Sequence, residues 1–238
     1  MSEALLAVSG LNAYYGAAHI LFDLGFEVRA GEVVALMGRN GAGKSTTLKS
    51  IMGLIERRTG AIAFAGADIS HARTYDIARL GLGFVPEDRR IFTDLTVLEN
   101  LEVGSQPARD RTQQVWTPER LFELFPNLAE ARHRVGGRLS GGEQQMLSVA
   151  RTLMGNPLLI LLDEPSEGVA PIIVDAMADM MIALKQTGVA IVLSEQNLPF
   201  AELVSDRAYV IEKGEVRFSG TMHELSGNED LRRAYLEV

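Results

Sequence analysis

Val33-Val34-Ala35-Leu36-Met37 runs without a break into Gly38-Arg39-Asn40-Gly41-Ala42-Gly43-Lys44-Ser45-Thr46. Five consecutive apolar residues read as a strand buried on both faces, and the glycines after them mark a tight turn. A helix over about Ser45–Met52, stopped by Gly53, follows the turn. The turn fits the pattern G-x-x-x-x-G-K-[ST]. Glycines there let backbone N–H groups close around phosphate oxygens, and the helix behind them presents its positive end. On this reading Gly38, Asn40, Gly41, Gly43 and Thr46 form the cradle of a nucleotide. Lys44 reaches the β- and γ-phosphates, and the Ser45 hydroxyl ligates Mg²⁺.

Outward from this turn, the next chemically informative stretch is Leu158–Leu162, a second apolar run, closed by Asp163 and Glu164. An acid at the end of a buried strand beside a phosphate loop is placed to hold Mg²⁺ through water, which is the role expected of Asp163. Glu164, one residue on, points elsewhere and is placed to polarise an attacking water. Strand character returns at Val189–Ser194 after a helix over about Ile172–Gln186. That β-α-β rhythm predicts a parallel sheet with crossover helices. Met177, Met180, Met181 and Leu184 fall on one face of that helix, as core positions do.

Toward the N-terminus, residues 3–35 alternate short apolar runs with turns such as Gly31-Glu32, the pattern of antiparallel strands. Ala61–Ile69 reads as a hairpin turning at Gly66. Beyond Pro86 the texture becomes helical over about Leu95–Met154. Thr96 is placed to cap a helix at Val97–Val103, and a polar stretch over about Ser105–Pro118 contains Trp116, which is assigned no role. A helix over about Glu119–Phe125 is expected to stop at Pro126, and another spans about Glu143–Met154. The chain closes on a hairpin around Tyr209–Phe218 and a helix near Glu229–Leu236. With no internal repeat and no low-complexity tether, the expectation is one α/β domain over 1–238. Its parts are a mostly parallel core sheet, an antiparallel β subdomain and the helical insertion of about 95–154.

Composition narrows the function classes. The 238 residues carry a net charge of −8, with 47% hydrophobic and 23% charged residues, ordinary for a globular chain. Broad nucleic-acid binding needs clustered cations that displace counterions, and Arg79, Arg89 and Arg90 form only a short, interrupted patch, read as a solvated face. Absence of cysteine removes disulfides and thiol catalysis. His19, His71, His133 and His223 lack ligand spacing. The opening MSEALLAVSG lacks the basic region and long apolar stretch of a signal peptide, and apolar runs of five residues fall short of the roughly 20 needed to span a membrane.

A third element is Leu139-Ser140-Gly141-Gly142-Glu143-Gln144-Gln145. Taken alone, Ser-Gly-Gly before a helix is good capping chemistry, and it also leaves a hydroxyl and N–H groups facing outward. Together with the phosphate loop and the Asp163-Glu164 pair, it makes the whole chain resemble the ATP-binding cassette (ABC) superfamily. The resemblance implies the P-loop NTPase fold of that superfamily, with ATP and Mg²⁺ as cofactors. It also implies that Ser140, Gly141 and Gly142 complete the ATP site of a facing ATPase subunit, that Tyr15 stacks on adenine and that Glu164 is the catalytic glutamate. Ser166–Pro171 matches the loop that crosses the dimer interface.

Three stretches narrow the resemblance: Val85–Phe92, Ser166–Pro171 and Ser194-Glu195-Gln196-Asn197 are similar to the ATPase subunits of branched-chain amino-acid importers, where two different ATPase subunits usually pair. ATPase subunits of urea and amide importers look much the same. Two departures from the superfamily pattern stand out. Glu87 replaces the usual Gln in the loop that senses Mg²⁺ and contacts the permease, and Gln196 replaces the usual His at the γ-phosphate. The resemblance implies a subunit on the inner face of the membrane, bound to transmembrane permease subunits, with no direct contact with solute and no nucleic-acid partner. Phe92 and Leu95 are placed to line the surface that receives a permease helix. A soluble ABC protein of DNA repair or translation and a regulatory module without turnover are the alternative classes. The first usually carries coiled-coil insertions or tandem cassettes, and the second fits poorly with intact Lys44, Asp163 and Glu164.

Overall fold

The structure is a computed structural model, and it describes residues 4–109 and 115–236. Strands β1 (Leu6–Tyr15) and β2 (Ala18–Val28) form an antiparallel pair. After β3 (Val33–Met37) and α1 (Lys44–Ile51), strands β4 (Arg57–Phe64) and β5 (Ala67–Asp68) join them. The four make a sheet of order β2-β1-β4-β5. Then come α2 (Thr74–Leu80) and β6 (Leu82–Val85). A helical stretch follows: α3 (Val97–Gly104), α4 (Pro118–Leu124), α5 (Pro126–Glu130) and α6 (Gly141–Leu153). The remainder alternates β7 (Leu159–Asp163), α7 (Pro171–Gln186), β8 (Ala190–Glu195) and α8 (Leu198–Val204). It ends on the hairpin of β9 (Arg207–Glu212) and β10 (Glu215–Thr221), followed by α9 (Met222–Ser226) and α10 (Glu229–Tyr235).

The second sheet has the order β10-β9-β3-β8-β7-β6. Its five strands from β9 to β6 run parallel, and β10 returns antiparallel. The apolar run of β3 sits at its centre and is wholly buried because both faces are covered. Strand alternation divides the core in two. Val33, Ala35 and Met37 face α7 and the helical stretch, among Met177, Met180, Met181 and Leu184. Val34 and Leu36 face α1 and the antiparallel sheet, among Leu48, Ile51 and Phe64. The methionine stripe is core, as its spacing indicated.

Several local expectations change. The helix expected to stop at Pro126 does end there, as α4, but Pro126 also opens a further helix, α5, since a residue without an N–H costs nothing at a first helical position. Strand β6 and the short helices α2, α8 and α9 were not anticipated. Strand β6 carries Gly83, whose absent side chain lets it lie against α6: a Cβ there would meet Thr152 Cγ2 at 2.6 Å. Trp116, given no role, is buried, with its backbone N–H held by Asn156 Oδ1 at 2.8 Å and its ring under the Arg120 guanidinium. Part of the polar stretch around it, 110–114, lies outside the described residues. Of the basic residues, Arg79 and Arg90 are exposed as expected, whereas Arg89 is half-buried.

Candidate active site

The phosphate loop spans the C-terminal end of β3 and the start of α1, and its shape rests on two glycines. Gly43 caps α1 at φ 115°, and a Cβ there would lie 2.8 Å from Leu21 Cδ2. At Gly38 a Cβ would lie 2.3 Å from the Ile211 carbonyl oxygen of β9. Any side chain at either position would push the loop off its neighbours.

Lys44 is buried, and its ammonium uses all three N–H groups. It donates to the carbonyl oxygens of Gly38 (2.8 Å) and Arg39 (3.2 Å), and it pairs with Glu164 Oε1 at 3.0 Å. Ser45 Oγ donates to Asp163 Oδ1 at 2.8 Å. Asp163 is the last residue of β7, one strand removed from β3 across β8. Burial pushes its carboxyl up. The hydroxyls of Ser45 and Ser194 and the charge of Lys49 pull it down, and the charge of Glu164 adds to the rise.

Glu164 adopts φ 46°, a left-handed conformation that disfavours a residue with a side chain. Its N–H is held by the Ser194 carbonyl at 3.0 Å. This turn sends the two acids in different directions: Asp163 toward Ser45 and Glu164 toward Lys44. The side chain is 7% exposed, and its Oε2 receives no N–H donor.

Lys44, Ser45 and Glu164 line a cleft of about 450 Å³, with Asp163 held against it through Ser45. The loop side supplies Asn40, Gly41, Gly43, Lys44, Ser45 and Thr46. Tyr15 stands at its rim, half exposed, at the end of β1. Tyr14 points the other way along the strand, stacked on His19 at 4.2 Å and under the Arg57 guanidinium, which leaves the Tyr15 ring for the cleft. Glu87, just past β6, and Glu164 and Glu167 form the acidic wall. The Glu167 carboxyl is raised to about 7. Its hydrogen bond with Glu164 is the main cause, followed by burial and the negative charges of Glu164, Glu87 and Glu195.

Other expected residues lie outside the cleft. Gln196 follows β8 with an exposed side chain and does not line it. Ser140, Gly141 and Gly142 sit at the start of α6, also away from it. The Ser140 hydroxyl is not simply free: it accepts the Glu143 N–H at 3.3 Å, and Glu143 Oε2 accepts the Ser140 N–H at 2.7 Å. This capping box leaves Ser140 exposed. The two glycines also have reasons within the chain. A Cβ on Gly142 would lie 2.7 Å from both Ile173 Cγ atoms, and one on Gly141 would lie 2.9 Å from Arg89 Nη1.

Two acids were not singled out from the sequence. Glu167 shares the acidic wall, and Glu195, 1% exposed, accepts three backbone N–H groups beneath it. Glu195 stands in a stretch whose pattern was noted, but its burial depends on how β8 ends against the turn after β7. Among the described residues no cluster of three or more His, Cys, Asp and Glu side chains is spaced to cage a metal ion, and no helix is long and apolar enough to cross a membrane. A buried carboxylate met by hydroxyl groups, as at Asp163 and Ser45, suits a hard divalent cation that takes few protein ligands and keeps water and phosphate oxygens.

Comparison with known proteins agrees with this geometry. Residues 21–167 match the family model described as ABC transporter. The chain is 41% identical to the high-affinity branched-chain amino acid transport ATP-binding protein BraG of Pseudomonas aeruginosa, across 98% of this chain and 99% of that one. It is 34% identical to the lipopolysaccharide export system ATP-binding protein LptB of Haemophilus influenzae, across 98% and 97%. Among solved structures, the ADP conformation of MJ1267, an ATP-binding cassette of an ABC transporter, superimposes with a TM-score of 0.81 at 25% identity, covering 98% of both chains. The phosphate loop, the two acids after β7 and these likenesses lead to one statement: this chain belongs to the ABC transporter family of ATP-binding proteins.

Proposed function

We propose that this protein is the ATP-hydrolysing subunit of an importer for branched-chain amino acids, coupling ATP binding and hydrolysis to movement of a membrane permease. One observation carries the ATPase reading: Lys44 and Ser45 after one strand meet Glu164 and Asp163 at the end of another, each pair within hydrogen-bond length, and Lys44, Ser45 and Glu164 line a single cleft. The solute class is supported by the 41% identity to BraG against 34% to LptB.

In this reading the loop N–H groups and Lys44 bind the β- and γ-phosphates, and Lys44 exchanges its Glu164 contact for phosphate oxygen. Release from Lys44 frees Glu164 Oε1 to accept a proton from water aimed at the γ-phosphate. Ser45 and Asp163 hold Mg²⁺, with Glu87 at the edge of that site, and the ion when bound neutralises charge on the phosphates. Tyr15 stacks on the adenine. Gln196 approaches the γ-phosphate by turning its exposed side chain about a backbone held by Glu195.

The start of α6 cannot serve the cleft of its own chain, so Ser140, Gly141 and Gly142 complete the site of a second ATPase subunit. Residues 1–238 form one nucleotide-binding domain, with 95–154 as the part that carries this segment. Phe92, half exposed after the Glu87 loop, belongs to the face that meets the permease at the inner membrane surface. The chain itself touches neither solute nor nucleic acid.

Turnover of the purified chain tests the catalytic assignment. Glu164→Gln should retain ATP binding and lose ATPase activity by at least about 100-fold, within the range of a lost general base. Near-parent turnover would remove Glu164 from that role. Uptake of labelled leucine and of urea by proteoliposomes carrying the assembled transporter tests the solute: urea uptake without leucine uptake would overturn the branched-chain assignment.

A further inference from the structure

Beneath the cleft lies a buried carboxylate that the reading above does not use. Glu195 ends β8 and is 1% exposed. Its Oε1 accepts the Ser166 N–H at 3.0 Å, and its Oε2 accepts the N–H groups of Gln196 at 3.1 Å and Asn197 at 3.0 Å. The nearby Ser166 hydroxyl also favours the charged carboxylate. No Lys, Arg or His pairs with Glu195 among the described residues. Burial pushes its carboxyl up, and the Ser166 hydroxyl and the three N–H groups pull it back. An anion kept in the interior without a counter-charge is costly unless it is hydrogen-bonded, and here each oxygen is met by backbone N–H.

What the carboxylate joins gives it a purpose. One oxygen holds the turn that begins at Glu164, and the other holds the loop that begins at Gln196. The Ser194 carbonyl fixes the start of the first turn through the Glu164 N–H, and Glu195 fixes its exit through Ser166. In the second loop, Asn197 is tied at both ends. Its N–H goes to Glu195, and its Oδ1 caps α8 by accepting the Phe200 N–H at 3.2 Å. Gln196 is therefore held by its backbone while its side chain stays free.

We propose that Glu195 is a positioning residue that locks the Glu164 turn and the Gln196 loop into one unit, so that both side chains are set together against the γ-phosphate. This inference rests on the roles assigned above to Glu164 and Gln196.

Glu195→Gln tests it with almost no change of volume. An amide has one acceptor oxygen and one donor NH₂, so in either orientation the NH₂ confronts N–H donors at one of the two loops. The measurement is kcat per nucleotide-binding site, titrated by ATP stoichiometry well below the melting temperature, alongside the Kd for ATP. The expected result is a fall in kcat of at least about tenfold with Kd changed less than about threefold. Ser166→Ala removes only the hydroxyl that favours the Glu195 carboxylate and should show the same split at about two- to fivefold; it serves if Glu195→Gln fails to fold. Unchanged kcat per site, even with a lowered melting temperature, would make Glu195 merely structural and overturn the proposal. Equal losses of kcat and affinity would also overturn it, by placing the effect at the phosphate loop. Glu164→Gln is measured in parallel. If it turns over normally, the catalytic reading itself has failed. If it is inactive while Glu195→Gln is normal, only this inference has.

Discussion

Gly142 lies in the segment assigned to a neighbouring subunit's ATP, yet the fold gives it a second reason to lack a side chain, and the two separate by experiment. Gly142→Ala would place a Cβ 2.7 Å from both Ile173 Cγ atoms and 3.2 Å from Ile173 Cβ. Comfortable carbon contacts are about 3.5–4.0 Å, so something must yield by roughly 1 Å. Ile173 sits in the first turn of α7, and a β-branched side chain on a helix has one strongly preferred rotamer. The helices must therefore move apart. Overpacking of this kind costs about 1–3 kcal/mol. Replacing glycine in a helix returns about 0.5 kcal/mol at this second helical position. The net loss is about 0.5–2.5 kcal/mol, and for a chain of this size each kcal/mol lowers Tm by about 2–4 °C. Ile173→Ala removes both offending atoms. In that background Gly142→Ala should be neutral or raise Tm by a degree or two, a coupling of sign opposite to a lost contact. Thermal denaturation of the parent, both single variants and the double variant checks this. An equal Tm loss from Gly142→Ala in both backgrounds would refute the packing argument. Any ATPase deficit that persists in the double variant after stability returns belongs to the ATP role.

Further expectations follow from other side chains. Glu167 has a carboxyl raised from 4.5 to about 7 in the fold, chiefly by its hydrogen bond with Glu164. Because the folded state holds that proton more tightly, its contribution to stability is complete below about pH 4.5 and is lost as pH rises through 7. Glu167→Gln should flatten the decline of Tm between pH 5 and pH 8 (about three pH units) relative to the parent, and parallel profiles would contradict the shared hydrogen bond. Asn100, wholly buried on α3, accepts the Phe92 N–H at 2.9 Å and donates to the carbonyls of Phe92, Leu95 and Thr96. Asn100→Ala should cost about 2–3 kcal/mol by leaving those groups unpaired. It should also speed proteolysis of the 92–96 segment, and unaltered cleavage kinetics would show that Asn100 does not hold that loop.

The residues assigned to phosphate binding were legible because their chemistry is local. A phosphate loop needs glycines, a lysine and a hydroxyl at fixed spacing around one strand-to-helix turn, and Gly38–Thr46 carries all of them in consecutive order. The same holds for β3 and β7, where an unbroken apolar run admits few readings, and for the methionine face of α7. The end of a strand is also a local signal, which is why Asp163 and Glu164 stood out together. Short elements such as α8 and β6 were not legible, since their few residues hold no complete period and their stability comes from what they pack against.

Tertiary structure decided whatever depended on two distant segments meeting. Only the order β3-β8-β7 brings Ser45 to Asp163 and Lys44 to Glu164, and only the end of β8 against the turn after β7 buries Glu195. Nothing in the word Ser-Glu-Gln-Asn distinguishes a solvated glutamate from a buried one, because the three N–H donors that make burial tolerable include one from Ser166, 29 residues away. Gly142 makes the same point in reverse. The sequence offers a glycine with two possible reasons, and its contact with Ile173 exists only once α6 and α7 are packed. Local covalent pattern determines which groups are available for chemistry. Packing determines which of them meet, which are shielded from water, and hence what each costs and does.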